Sequence, residues 1–406
     1  MSKPLKVLLS AYACRPGAGS EPEVGWQWAL QAARVHDVIV LTRAKNRAGI
    51  ERGLSALSSD RPRPKFVYHD ARDWLLKLKA AFKVPPWLYY LFWQQSARSV
   101  IARLNRETNF DLLHHVTWGE FRSTPAVCGQ GVRSVWGPIN GFEATPWSML
   151  PWKYPTACLH ECCRNLSNLA AIHSLQRKAS MAREILVSTR ETQAAFDRLG
   201  IRTILFPETG CEWREPASRQ LHHRPLRLLY AGRIVFYKGV HLAVAALAAS
   251  ATNASLTIVG SGEFRRTVQR LARKLGMERH VTFQDTLPRT ALLQQYAEFD
   301  AFIFPSLHDS GGFAVIEAMA DGLPIICLDC GGPALAVESG CGIKVPVINT
   351  NEVVRGLARA IRAYDKNRAL ATEHGATARR SVIKSYLWNK KGEQIDLIYR
   401  RVAAES

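Results

Sequence analysis

Short apolar runs alternate with stretches of helical periodicity along most of the chain, and this alternation narrows the fold more than any other feature. The runs fall at Leu5–Ser10, Asp37–Thr42, Lys65–His69, Leu112–Val116, Val135–Glu143 and Ile185–Ser188. A second series occupies Leu226–Ala231, Leu256–Val259, Val281–Phe283, Ala301–Phe304, Ile325–Leu328 and Gly342–Val345. Strands buried on both faces read as continuous apolar runs, and strands that alternate with helices build parallel, doubly wound sheets. Two such series predict two α/β domains, each with ligands expected beyond the strand C-termini. At 406 residues the chain is long enough for two substantial cores. The predicted boundaries are 1–212 for the first domain, 213–225 for a polar linker, 226–385 for the second domain and 386–406 for a terminal helix.

The stretch Phe304–Pro324, FPSLHDSGGFAVIEAMADGLP, reads as the end of a strand, a polar loop and a helix opening at Gly311-Gly312. Unpaired amides and the dipole at a helix start suit an anion, and glycines let a phosphate approach the backbone. Asp309 and Glu317 would repel a phosphate, so they are better placed to accept hydrogen bonds from ligand hydroxyls. Phosphate plus hydroxyls describes a nucleotide sugar; a helix start capped by Asp or Ser accounts for the same residues more plainly. The stretch closely resembles the signature of the retaining GT-B glycosyltransferases of family 4, through its two acids eight apart, its Glu317-Ala318-Met319-Ala320 and its Gly322-x-Pro324. The family usually has Glu at the first acidic position, where this chain has Asp309.

The resemblance implies the GT-B fold: two Rossmann-like domains facing a cleft, with the last helix crossing back to the N-terminal domain after Tyr386-x-Trp388. It implies donor contacts for Asp309, Gly311, Gly312, Phe313 and Glu317, with Glu317 on the ribose. Gly232-Arg233 and Lys238-Gly239 look like the family's Gly-Arg…Lys-Gly element, whose cations neutralise the departing diphosphate. A leaving diphosphate needs positive charge from a metal or from Lys and Arg. With no metal-ligand spacing beside these residues, the expectation is no metal and no cofactor besides the nucleotide-sugar substrate. Gly17 and Gly19 resemble the family's N-terminal glycine loop. Gly260 and Leu287, in the turns after the next two strands, complete the donor-binding set. Ser20 and Glu23 have capping-box spacing at the helix that follows Gly19. Pro22 stands where a dinucleotide fingerprint needs its third glycine. His114 and His115 lie at a predicted strand end, where at most one of the two faces the cleft to act as a base or position an acceptor; two histidines satisfied by the backbone account for the same residues. Val135–Glu143 runs into a loop expected on the acceptor side, and residues 144–182 are poorly periodic.

Composition sharpens the partners. The formal charge is +20, and residues 61–106 hold ten Lys/Arg against two Asp, so anionic partners are expected. No nucleic-acid module is recognisable. The run Val84–Trp93, VPPWLYYLFW, is apolar or aromatic throughout and flanked by Lys77, Lys79, Lys83 and Arg98. It fits a core helix, or docking on an anionic membrane and hence a lipid-linked acceptor. Nine cysteines without a framework, no membrane-length apolar run and no secretory layout predict a cytoplasmic protein, peripheral on the inner face of the membrane. The expected activity is retaining transfer from a UDP- or GDP-sugar to an acceptor hydroxyl in polysaccharide or glycolipid biosynthesis. A sugar-phosphate synthase or a transferase with a small soluble acceptor, and a basic nucleic-acid-binding protein, are the alternatives.

Overall fold

The structure is a computed structural model that describes residues 3–71, 85–215 and 225–404. Seven strands form the first sheet: β1 Lys6–Ser10, β2 Asp37–Thr42, β3 Lys65–Tyr68, β4 Leu112–His115, β5 Ser134–Ile139, β6 Glu184–Val187 and β7 Ile204–Leu205. Six form the second: β8 Arg227–Ala231, β9 Ser255–Val259, β10 Val281–Gln284, β11 Ala301–Phe304, β12 Ile325–Leu328 and β13 Gly342–Val345. The orders are β3-β2-β1-β4-β5-β6-β7 and β10-β9-β8-β11-β12-β13, with every pairing parallel. The order therefore reverses between β1 and β4 and between β8 and β11, which puts a crevice beyond the C-terminal end of each pair. This is the two-domain GT-B architecture.

The segment read as an interdomain linker starts pinned. The Arg214 guanidinium donates to the Asp321 carboxylate and, at 3.2 Å, to the Glu317 carbonyl, while Arg379 Nη2 donates to the Arg214 carbonyl at 3.0 Å. The two interdomain passages touch: the Cys211 amide donates to the Tyr386 carbonyl at 2.9 Å, and the Trp388 amide to the Cys211 carbonyl at 3.1 Å. From there the helix Trp388–Ala404 returns to the first domain and buries Trp388, Ile395, Ile398, Tyr399 and Val402 in the core that contains Val7, Leu9 and Trp28.

Two local expectations change. Ser20 has φ 53° and makes no capping bond; Gly19 takes the cap position, and Glu23 instead accepts from the Gly17 amide at 2.7 Å. The aromatic run belongs to the helix Pro86–Thr108, which buries Tyr89, Tyr90 and Trp93 in the first domain and exposes Trp87, Leu91 and Phe92. Val84, Lys77, Lys79, Lys83 and the helix expected at Trp74–Ala81 lie outside the described residues.

Candidate active site

After β8 the chain turns through Gly232-Arg233 into one tight turn, Phe236–Lys238, ahead of the helix Val240–Ser250. Gly239 has φ 68°, and a side chain there would run into the Pro305 carbonyl. The missing Cβ lets this loop press against the exit loop of β11. That contact brings Lys238 to Asp309. Its ammonium donates to one Asp309 oxygen, the other accepts from the Gly312 amide at 3.3 Å, and both side chains are largely buried. Burial alone would raise the Asp309 carboxyl. The Lys238 charge and these hydrogen bonds outweigh it and hold the group below the usual aspartate range.

Gly312 adopts φ 59° and opens the helix Phe313–Ala320. One turn in, Glu317 is buried and accepts from Arg289 Nε at 2.7 Å. Burial disfavours the Arg289 charge, but Glu317 more than offsets it and raises the guanidinium's pKa. Arg233 is exposed and donates to the Tyr237 hydroxyl. The Tyr237 ring stacks on His308 with centroids 4.1 Å apart.

First-domain side chains close the other wall. His308 Nε2 lies 3.1 Å from Glu161 Oε2, and Thr145 Oγ1 donates to the same oxygen at 2.7 Å. Burial favours neutral His308, whose N–H then donates to Glu161. Burial would also raise Glu161, yet the His308 and Thr145 bonds hold it below the usual glutamate range. Between the walls lies a cavity of about 270 Å³, lined by Asn140, Glu143, His160 and Arg164 from one domain and Arg233, Tyr237, Lys238, His308, Asp309 and Ser310 from the other. The loop expected on the acceptor side thus does line the cleft through Asn140 and Glu143. A larger cavity of about 590 Å³ lies between the helix Ser20–Ala33 and the crossover, and none of the predicted site residues lines it.

The sequence-predicted residues divide. Arg233, Lys238 and Asp309 meet at the cavity, with Gly311 and Gly312 at its edge. A side chain at Gly311 would strike Thr209 and Glu208. Gly17, Gly19, Gly260 and Leu287 lie in the loops that follow β1, β9 and β10, outside this cavity's lining. A side chain at Gly260 would meet the Gly232 carbonyl, so its glycine serves close packing of two strand ends. Phe313 packs against the first domain's core rather than opening on the cavity.

His114 and His115 require correction, because both are fully buried. His114 bonds Tyr399 Oη at 2.5 Å and the Gly137 carbonyl at 2.7 Å. His115 bonds Tyr90 Oη at 3.0 Å and Ser10 Oγ at 3.1 Å. Burial pushes their imidazoles down to about 4 and about 3, respectively. With all four ring nitrogens engaged, neither is placed to meet an acceptor. The crossover helix, which supplies Tyr399, is what covers the strand end on which His114 sits.

Residues not anticipated are His308, Glu161, His160, Arg164 and Glu208. Glu208 joins the domains: it accepts from Ser310 Oγ at 2.9 Å and from Asn140 Nδ2 at 3.4 Å, while Thr209 Oγ1 donates to the Gly311 carbonyl at 3.0 Å. Burial, reinforced by the Glu21, Glu143 and Asp309 carboxylates and opposed by the Ser310 bond, pushes the Glu208 carboxyl up to about 8. A raised carboxyl pKa means the folded chain holds a proton that the unfolded chain releases. Its stabilising effect is complete below the ordinary glutamate range, about 4.3, and is lost as pH rises through about 8. Lys391, pushed down to about 7 mainly by burial, titrates with the opposite slope above that pH. The comparison that isolates Glu208 is therefore between wild type and Glu208→Gln. The melting temperature of Glu208→Gln is expected to lose the decline that this group causes between about 4.3 and about 8. Parallel melting profiles across that range would remove Glu208 as the titrating contact.

A second prediction concerns Asp309. Asp309→Glu keeps a carboxylate for Lys238 and is expected to retain substantial activity. Asp309→Asn removes the charge and is expected to cost on the order of 10²-fold in rate, as for loss of one preorganised polar contact. Wild-type rates in the Asn variant would reduce Asp309 to a helix-start residue.

Among the described residues, no group of three or more His, Cys, Asp or Glu side chains is arranged to hold a metal ion. A family model described as glycosyl transferases group 1 matches residues 212–376, the part that carries Arg233, Lys238, Asp309 and Glu317. Glycogen synthase of Mycobacterium tuberculosis (strain CDC 1551 / Oshkosh) is 33% identical over 175 residues, 42% of this chain and 42% of that protein. The match thus spans less than half of that relative's length. A GDP-mannose-dependent alpha-(1-6)-phosphatidylinositol monomannoside mannosyltransferase of Mycolicibacterium smegmatis is 25% identical over 279 residues, 65% of this chain and 69% of that one. Among solved structures, Anabaena HepE in complex with UDP and glucose superposes with a TM-score of 0.64 at 16% identity, covering 98% of this chain and 100% of that one.

Proposed function

Taking residues 212–376 as a group 1 glycosyltransferase domain, we propose that the protein moves a sugar from a UDP- or GDP-sugar to the hydroxyl of a lipid-linked saccharide, with retention. The observation that carries this reading is the Lys238–Asp309 pair. It sits beside Arg233 and ahead of a helix start, in a polar cleft beyond the β8/β11 crevice. Lys238 and Arg233 neutralise the diphosphate as it departs. When the diphosphate draws Lys238 toward itself, Asp309 turns to a hydroxyl of the donor sugar. Glu317, held through one oxygen by Arg289, accepts from the ribose. The bond from the anomeric carbon to the phosphate oxygen breaks, and the bond to the acceptor oxygen forms on the same face. The acceptor proton passes to the departing phosphate. This assigns the charge neutralisation to side chains, so activity is expected to persist in EDTA.

Support for the donor class comes from names: one relative is GDP-mannose-dependent and one structural neighbour was solved with UDP and glucose. The relative named for a phosphatidylinositol monomannoside acceptor motivates the lipid-linked acceptor. No described helix is long and apolar enough to cross a membrane, which is compatible with the inner-face peripheral location proposed with that acceptor. The test is a thermal-shift series with UDP-, GDP- and ADP-sugars. A donor at about 100 times its dissociation constant stabilises by roughly 2.7 kcal/mol, so one nucleotide class is expected to raise the melting temperature clearly. No shift with any of them would contradict the proposal.

A further inference from the structure

We infer that the outward face of the helix Pro155–Ile172, with Trp147 and Trp152 just ahead of it, docks on an anionic lipid surface and so holds the cleft against the membrane. The inference rests on the lipid-linked acceptor proposed above and names the surface that would meet it.

This helix is built inside out. Three of its four buried positions are polar: Glu161 bonds His308 and Thr145, Asn165 Nδ2 donates to the Thr145 carbonyl at 3.1 Å, and Asn168 Nδ2 donates to the Gly141 carbonyl at 2.6 Å. Arg164 Nη2 donates to the Glu143 carbonyl at 3.0 Å. These bonds fix the rotation of the helix about its axis. They leave Leu159, Leu166 and Leu169 exposed at 66, 57 and 59%, together with exposed Cys163 and Ala170. At 3.6 residues per turn, positions 159, 163, 166 and 170 share one stripe. Trp152 is 71% exposed and Trp147 55%. A contiguous apolar face on an ordered helix marks an interaction surface, and indoles favour the boundary between lipid and water.

Charge selects the occupant. The helix's one acid, Glu161, is buried, so its exposed face carries no carboxylate, while Lys153 and Arg177 are exposed before and after it. A symmetric dimer through this face would set the cations of one copy against those of the other. An anionic bilayer neutralises them while covering the leucines. The geometry also serves the reaction, because the same helix sends His160 and Arg164 into the cleft cavity. A helix lying in the interface would hold the cavity within about one helix diameter, ~10–12 Å, of the lipid headgroups.

The test is vesicle flotation at low salt with phosphatidylglycerol-containing and pure phosphatidylcholine vesicles. Wild type is compared with Leu159→Gln/Leu166→Gln/Leu169→Gln and with Trp87→Gln/Leu91→Gln/Phe92→Gln. Wild type is expected to float with the anionic vesicles at least about tenfold better than with neutral ones, as electrostatic attraction to anionic lipid requires. The leucine variant should lose that binding, and the Trp87 variant should keep it. A donor-induced thermal shift equal to wild type in the leucine variant would show that fold and donor site are intact. If wild type ignores anionic vesicles, lipid docking is wrong. If the leucine variant floats and the Trp87 variant does not, the docking surface is the other helix. If wild type is a dimer that the leucine changes dissociate, the face belongs to a second copy. A missing donor shift in wild type would instead overturn the transferase proposal and leave the flotation result standing.

Discussion

Lys238→Ala is expected to lower transfer by about 10²- to 10³-fold in kcat, equivalent to about 3–4 kcal/mol of transition-state stabilisation. The ammonium is largely buried, in contact with Asp309 and close to the rings of Tyr237 and Phe304. In that water-poor setting a charge placed against a departing diphosphate acts with little screening. The same burial complicates the variant, because Asp309 is left without its partner. Removing one member of a buried pair destabilises by up to about 3–5 kcal/mol. Rate and stability are separated by Lys238→Ala/Asp309→Ala, which is expected to recover melting temperature without recovering turnover. A double variant that regains both would mean Lys238 holds the loop and does no chemistry.

Glu317→Ala is expected to act on binding. A charged hydrogen bond contributes about 1.5–3 kcal/mol, so loss of the ribose contact should raise the donor KM about 10- to 100-fold, with a smaller change in kcat. Arg289 would then lose the carboxylate that orients it, so donor binding should also become more sensitive to salt. Fluorescence titration of the nucleoside diphosphate alone checks the assignment without turnover. Unchanged affinity in Glu317→Ala would place the ribose elsewhere.

The strands were legible in the sequence because parallel strands covered on both faces leave continuous apolar runs. Ala301–Phe304 and Ile325–Leu328 are found as read, fully buried. Legible too were Asp309 and the helix start after Gly312, since both belong to one local stretch. Contacts made over long separations were not. Lys238 and Asp309 stand 71 positions apart, and His308 and Glu161 stand 147 apart. The helix Pro155–Ile172 escaped recognition because Leu159, Leu166 and Leu169 point outward and Glu161, Asn165 and Asn168 inward, the reverse of the pattern that marks a surface helix. His114 failed as an acceptor residue for a related reason. Tyr399, the partner that occupies it, comes from a helix 285 residues downstream, and local periodicity carries no trace of that covering.

The most direct measurement is a crystal structure of the protein with the nucleoside diphosphate that gives the largest thermal shift. The predicted result has the diphosphate oxygens against Lys238 and Arg233, near the Gly312 helix start, with the ribose hydroxyls on Glu317. A nucleotide bound in the cavity lined by Gln27, Trp213 and Trp388, or a diphosphate that leaves the Lys238–Asp309 pair untouched, would contradict it.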